Sequence, residues 1–200
     1  MTGETAVVES VCVFCGSNPG RGDRYLGEAV RLGEMLAGEG VTVVYGGAGI
    51  GVMGELARAA MRVGGRVVGV IPGHLVEVER APADLHELHE VHTMHERKAL
   101  MAELSDGFVA LPGGLGTLEE VAEVATWSQL GLHTKPTGLL NVDGFYEHLL
   151  AFLDHAVTER FLRPEHRALL LAEPDPPTLL QAMRAWRSAE VPKWFDPPPA

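Results

Sequence analysis

Asp106-Gly-Phe-Val-Ala-Leu-Pro-Gly-Gly-Leu-Gly-Thr-Leu-Glu-Glu120 runs from a short apolar segment through a glycine turn into a helix. Phe108 to Leu111 is an apolar run bounded by glycine and proline, the pattern of a strand buried on both faces. Pro112 has no N–H with which to continue a ladder. Gly113, Gly114 and Gly116 follow. Glycines so close together let the backbone take positive φ and bring its N–H groups near a ligand that a Cβ would hold off. Thr117 reads as the N-cap of the next helix, which is mostly apolar from Val121 to Leu130. A helix start at this turn offers unpaired N–H groups and the positive end of the macrodipole to a phosphate. Thr117 and Glu120 also have the spacing of a capping box, a role that would occupy Glu120 without any chemistry. Glu119 points about 100° away around the helix, so the two carboxylates do not address one atom.

The same alternation of strand and helix extends to either side. Val11 to Phe14 reads as the first strand, Tyr25 to Ala37 as a helix with Tyr25, Ala29, Leu32 and Leu36 on one stripe, and Val41 to Tyr45 as a second strand. A glycine turn from Gly46 to Gly54 opens a helix to about Arg62, and Arg66 to Ile71 forms a third strand. A polar stretch from Pro72 to His89 precedes a short strand near Val91 and a helix from about His95 to Leu104. Beyond the central turn, a strand at Thr137 to Asn141 and a helix at Phe145 to Val157 complete the pattern. After these comes a proline-rich tail with one helix, Thr178 to Arg187, and a Pro-Pro-Pro-Ala200 end that reads as disordered. The expected fold is α/β, a single-domain Rossmann-like, doubly wound parallel sheet with helices on both faces and ligands at the carboxyl ends of its strands. The domain is expected over residues 11–190, between tails at 1–10 and 191–200.

Two hundred residues suffice for one core, and 46% hydrophobic with 22% charged content is that of a soluble globular chain. A net charge of −11 argues against nonspecific nucleic-acid binding, which needs a basic face. Nothing approaches a membrane-spanning run, and Glu4 and Glu9 stand where a signal peptide would carry positive charge, so a cytoplasmic protein is expected.

Three patterns point elsewhere and are outweighed. Cys12 and Cys15 form a C-x-x-C, but on an apolar strand they face opposite sides and read as core cysteines. Gly49-Ile-Gly-Val-Met-Gly54 matches a dinucleotide fingerprint, yet it follows the second strand, and His74 stands where an acid would hold a ribose hydroxyl. Close approach to a nucleotide or to the neighbouring loop explains those glycines equally well. His86, His89, His92 and His95 recur every three residues, which neither a helix nor a strand gathers on one face, so no metal site is expected. Trp127, Trp186 and Trp194 read as core or interface residues.

Pro112-Gly-Gly-Leu-Gly-Thr-Leu-Glu-Glu120 resembles the PGGxGTxxE signature of the Lonely Guy family of nucleoside 5'-monophosphate phosphoribohydrolases, and Met94-His-Glu-Arg-Lys98 resembles its second motif. The likeness continues through Cys15-Gly-Ser-Asn18, Tyr45-Gly-Gly-Ala-Gly-Ile-Gly-Val-Met-Gly54 and Lys135-Pro-Thr-Gly-Leu-Leu-Asn141. It implies hydrolysis of the N-glycosidic bond of purine nucleotides, either cytokinin-type or AMP, with Arg97 and Glu120 catalytic. It also implies nucleotide contacts from Ser17, Gly47, Met94, Lys98, Gly113, Gly114, Gly116 and Thr117. No cofactor or metal is implied, and the family's dimeric habit implies a homodimer with the site near its interface. Judged on position alone, Arg97 and Lys98 read as a solvated basic pair at the start of the preceding helix, away from the turn. The competing function is a carrier that holds a nucleotide or phosphorylated cofactor on the same turn without chemistry. A lysine decarboxylase, the label often given to relatives of this fold, would need pyridoxal phosphate on Lys98, Lys135 or Lys193, none of which sits in a recognisable cofactor setting.

Overall fold

The computed structural model describes residues 8–82 and 84–187. Lys193, Trp194, the two expected terminal tails but for residues 8–10, and the proline-rich end lie outside them. Seven strands form one all-parallel sheet: β1 (Ser10–Phe14), β2 (Thr42–Tyr45), β3 (Val67–Pro72), β4 (Glu87–Val91), β5 (Gly107–Ala110), β6 (Thr137–Leu140) and β7 (Leu170–Glu173). The order across the sheet is β4-β3-β2-β1-β5-β6-β7. Construction therefore starts in the middle, proceeds outward to β4, and resumes on the other side of β1 with β5. Between β1 and β5 the connections leave in opposite directions, opening a crevice at their carboxyl ends.

The central strands are continuous apolar runs because both faces of the sheet are covered. Val11 and Val13 of β1 face a core built with Leu32 and Leu36 of α1 (Arg24–Gly38), Leu56 of α2 (Gly51–Arg62) and Met183 of α7 (Pro176–Ala185). Cys12 and Phe14 face the other core, with Met101 of α3 (Met94–Glu103), Val121 and Val124 of α4 (Leu115–Gln129), and Leu149 and Leu150 of α5 (Glu147–Thr158). This is the doubly wound arrangement the alternation predicts. The two cysteines are buried free thiols in opposite layers, and burial pushes both well up from the usual thiol range.

The region after α5 departs from the expected tail. A short helix, α6 (Pro164–Arg167), leads into β7, which pairs with β6 from Thr137↔Leu170 to Leu140↔Glu173. Four half-buried residues between prolines carry little periodicity, so only the pairing reveals this edge strand.

The starts of α3 and α4 also differ from expectation. Gly114, in extended conformation, is the N-cap of α4, and Leu118 N–H donates to Gly114 O at 3.1 Å. Thr117 therefore lies inside the first turn, so Thr117 and Glu120 form no capping box. The capping interaction belongs to α3. Thr93 Oγ1 accepts from Glu96 N–H at 3.1 Å, and Glu96 Oε2 accepts from His92 N–H at 2.8 Å, closing the turn that presents Arg97.

Candidate active site

A cleft of about 500 Å³ opens at the switch point, between the loop after β1 and the glycine turn after β5. The two loops touch at Gly16 and Gly113, where a Cβ on Gly113 would lie 3.1 Å from Gly16 N. A Cβ on Gly113 would fall on the Thr117 hydroxyl. None of Gly113, Gly114 and Gly116 has positive φ, so close approach rather than left-handed backbone explains this turn. Cβ atoms on Gly114 and Gly116 would project into open space, where their absence leaves the backbone uncovered. No side chain caps the N-terminus of α4. Its first N–H groups, at Leu115, Gly116 and Thr117, are thus free for an anion in the cleft.

Glu120 follows one turn along α4 and lines the same cleft. Burial raises its carboxyl to about 7, partly offset by the Arg97 guanidinium. Arg97 reaches the cleft from α3 and is only 4% exposed. The expected distance between Arg97 and the turn does not exist. A crossover helix runs antiparallel to its strands, so the N-terminus of α3 lies at the same carboxyl edge as the turn after β5. The guanidinium is anchored to the sheet: Nε donates to Val70 O at 3.1 Å and Nη2 to Gly46 O at 2.8 Å. A third N–H, on Nη1, donates to Met94 Sδ at 3.7 Å, which leaves two of the five for the cleft. Gly46 makes room for this, because a Cβ there would fall within the guanidinium.

Of the expected contacts, Ser17, Met94, Gly113, Gly114, Gly116 and Thr117 line the cleft with Arg97 and Glu120, whereas Gly47 and Lys98 do not. Gly47 has φ of 78° and packs on Ile71. Lys98 Nζ is bound to Glu119 and Glu123 instead. Gly49, Gly51 and Gly54 serve backbone packing: Cβ atoms on them would strike the carbonyls of Arg80, Ser17 and Gly49 respectively. Tyr25, Met53 and Phe145 also form part of the cleft wall. Tyr25 and Phe145 meet edge to face at 5.8 Å, from α1 and from the segment after β6. Because Tyr25 shares the core stripe of its helix, spacing alone does not single it out.

A family model described as "Possible lysine decarboxylase" matches residues 53–183. A probable cytokinin riboside 5'-monophosphate phosphoribohydrolase of Oryza sativa subsp. japonica is 53% identical over 88% of this chain and 78% of its own. A cytokinin riboside 5'-monophosphate phosphoribohydrolase of Arabidopsis thaliana is 46% identical over 88% of this chain and 78% of its own. The chain belongs to the Lonely Guy family. Solved structures with the same fold include a molybdenum cofactor binding protein from Rippkaea orientalis, with a TM-score of 0.67 and 22% identity over 92% of this chain and 98% of that one. Another is the molybdenum cofactor carrier protein of Chlamydomonas reinhardtii, with a TM-score of 0.65 and 23% identity over 86% of this chain and 94% of that one. At such identities they establish the architecture alone.

The decarboxylase description does not fit this Lonely Guy site. Lys98 is held by two carboxylates and Lys135 Nζ donates to Ala102 O at 2.7 Å, so neither described lysine is placed to carry pyridoxal phosphate in the cleft. No group of three or more His, Cys, Asp or Glu side chains that could hold a metal ion occurs among the described residues, the recurring histidines included.

Proposed function

We propose that this protein is a nucleoside 5'-monophosphate phosphoribohydrolase, an N-glycosidase that cleaves cytokinin-type or AMP nucleotides to free base and ribose 5-phosphate. The observation that carries the reading is the convergence of Glu120, Arg97 and an uncapped helix N-terminus on one cleft. The phosphate sits on the N–H groups of Leu115 to Thr117, with the hydroxyls of Ser17 and Thr117 beside it. This anchors the ribose next to Glu120. Purine and any N6 substituent find apolar surface on Tyr25, Met53, Met94 and Phe145.

As the C1'–N bond breaks, positive charge develops on the ribose ring and the Glu120 carboxylate stabilises it. The same carboxylate takes a proton from the attacking water, whose oxygen bonds to C1', and passes it to the nitrogen of the departing base, so that the base leaves neutral and Glu120 is ionised again. Arg97, fixed by the Val70 and Gly46 carbonyls, keeps Glu120 from rising further and has spare N–H groups for sugar or phosphate. Incubation with AMP and with N6-isopentenyl-AMP, followed by chromatography for base and ribose 5-phosphate, tests the reading. Release of neither base would defeat it, and a carrier would return both nucleotides intact.

Because the ionised Glu120 acts, kcat/KM should rise with pH and level off above about 7. A profile flat from pH 5 to 9 would remove Glu120 from the reacting groups.

We also propose that the protein acts in the cytoplasm as a homodimer, with a second copy on the α4–α5 face. No described helix is long and apolar enough to cross a membrane. The face bears exposed Leu115, Leu118 and Phe152 over an apolar groove lined by Ala122, Ala125, Leu149 and Leu153. Leu115 is 85% exposed at the rim of the cleft, so a partner here would border the site. Light scattering should give twice the 21.5 kDa chain mass, falling to that of one chain for Leu118→Arg. A monomeric parent protein would end this part of the proposal.

A further inference from the structure

Lys98 follows Arg97 in the first turn of α3, is only 8% exposed and does not line the cleft. Its Nζ lies 2.5 Å from Glu119 Oε1 and 2.9 Å from Glu123 Oε2, two carboxylates one turn apart on α4. Arg97–Lys98 on one helix thus oppose Glu119–Glu120 on the other. Adjacent helical residues diverge by about 100°, so the contact of Lys98 with Glu119 leaves Arg97 and Glu120 free to turn toward the cleft. A single ammonium thereby constrains both the separation and the rotation of the two helices that carry the reacting groups. Burial pushes the Lys98 ammonium down, but hydrogen bonds to Glu119 and Glu123 outweigh it and hold Lys98 above its usual range, so it stays charged.

The clamp also governs the field at Glu120. The groups around that carboxyl are Arg97 and Lys98 from α3, Glu119 and Glu123 on its own helix, and the buried thiols of Cys12 and Cys15 from β1 and its following loop. Two of them are carboxylates within one turn, and Lys98 is bound to both.

We infer that Lys98 is a positioning residue of the hydrolase, clamping α3 to α4 so that Arg97 and Glu120 meet in one cleft while screening Glu120 from Glu119 and Glu123. The inference rests on Glu120 being the reacting carboxylate. Lys98→Met leaves two carboxylates uncompensated beside Glu120. It should lower kcat by about tenfold or more with the KM for AMP changed by less than about threefold. The acid limb of kcat/KM should move up by about half a pH unit or more. Adding Glu119→Gln and Glu123→Gln to Lys98→Met removes all three charges, which should return the limb to its parental position and restore part of kcat. A direct nucleotide contact gives the opposite pattern, with KM up about tenfold, the limb unmoved and no rescue by the glutamines, and that result would overturn the inference.

If Lys98→Met does not fold, Glu119→Gln with Glu123→Gln in the parental chain leaves the ammonium unopposed and should move the limb down. An unmoved limb would again refute the screening role. Carbon-13 NMR of the Glu120 carboxyl carbon reads the same displacements without turnover. A parental protein that releases no base therefore counts against the hydrolase reading, whereas a Glu120 titration indifferent to the clamp counts against Lys98.

Discussion

Glu120→Gln is expected to cut base release from AMP by about 100- to 10,000-fold, the range for loss of a positioned acid–base group. The variant should remain folded and become more stable above neutral pH. The sign follows from burial. The Glu120 carboxyl rises from 4.5 to about 7 in the folded state, so the native protein binds the proton more tightly than the unfolded chain does. Stability from this group is complete below pH 4.5 and is lost as pH rises through about 7. Glutamine has the same shape and nothing to ionise, so it removes a penalty of about 1–3 kcal/mol at pH 8, the lower part allowing for partial solvent access. No helix cap is at stake, because α4 begins at Leu115 and Glu120 lies beyond its first turn. Thermal unfolding at pH 5 and pH 8 should show the variant gaining little on the parent at the lower value and most at the higher. An active variant, or one destabilised at pH 8, would contradict the assignment.

Gly46→Ala should be nearly as damaging, although Gly46 does not line the cleft. The new methyl would occupy the place of the Arg97 guanidinium, and Met53 Sδ, 3.2 Å away, blocks easy relief. Arg97 must then leave the Gly46 and Val70 carbonyls. The expected loss in kcat/KM is about 100-fold, the scale on which misplacement of a positioned group acts. Unpairing buried carbonyls adds about 1–3 kcal/mol of destabilisation. Gly38→Ala, at the C-terminal end of α1 with nothing near its Cβ, is the control and should leave activity unchanged. Equal activity in the two variants would show that Arg97 does not need its anchor.

The link between Gly46 and Arg97 shows what kind of information the linear chain withholds. Apolar runs and glycine turns were enough to read six of the seven strands, because the central ones are buried on both faces and carry unbroken hydrophobicity. The missed strand, β7, is half-buried and is defined by its pairing with β6 rather than by its own pattern. Arg97, Glu120 and the glycine turn were legible because their motifs resemble those of a known family. Backbone geometry rules out a capping role for Glu120: Gly114 is the N-cap of α4, and the capping pattern that Thr117 and Glu120 suggest is realised by Thr93 and Glu96.

The sequence by itself determined the α/β class, the parallel order of strand and helix, the burial of Cys12 and Cys15 and, through the family resemblance, the turn and carboxylate that line the candidate cleft. These depend on hydrophobic period, turn chemistry and motif, all of which are local. Only the tertiary structure decided that Arg97 stands at the same sheet edge as Glu120, that Gly46 exists to admit it, that Tyr25 and Phe145 wall the cleft, and that Lys98 turns to Glu119 and Glu123. Each is a contact between residues far apart in the chain, set by how helices cross the sheet, and no spacing in the sequence records which carbonyl or carboxylate a buried cation will meet.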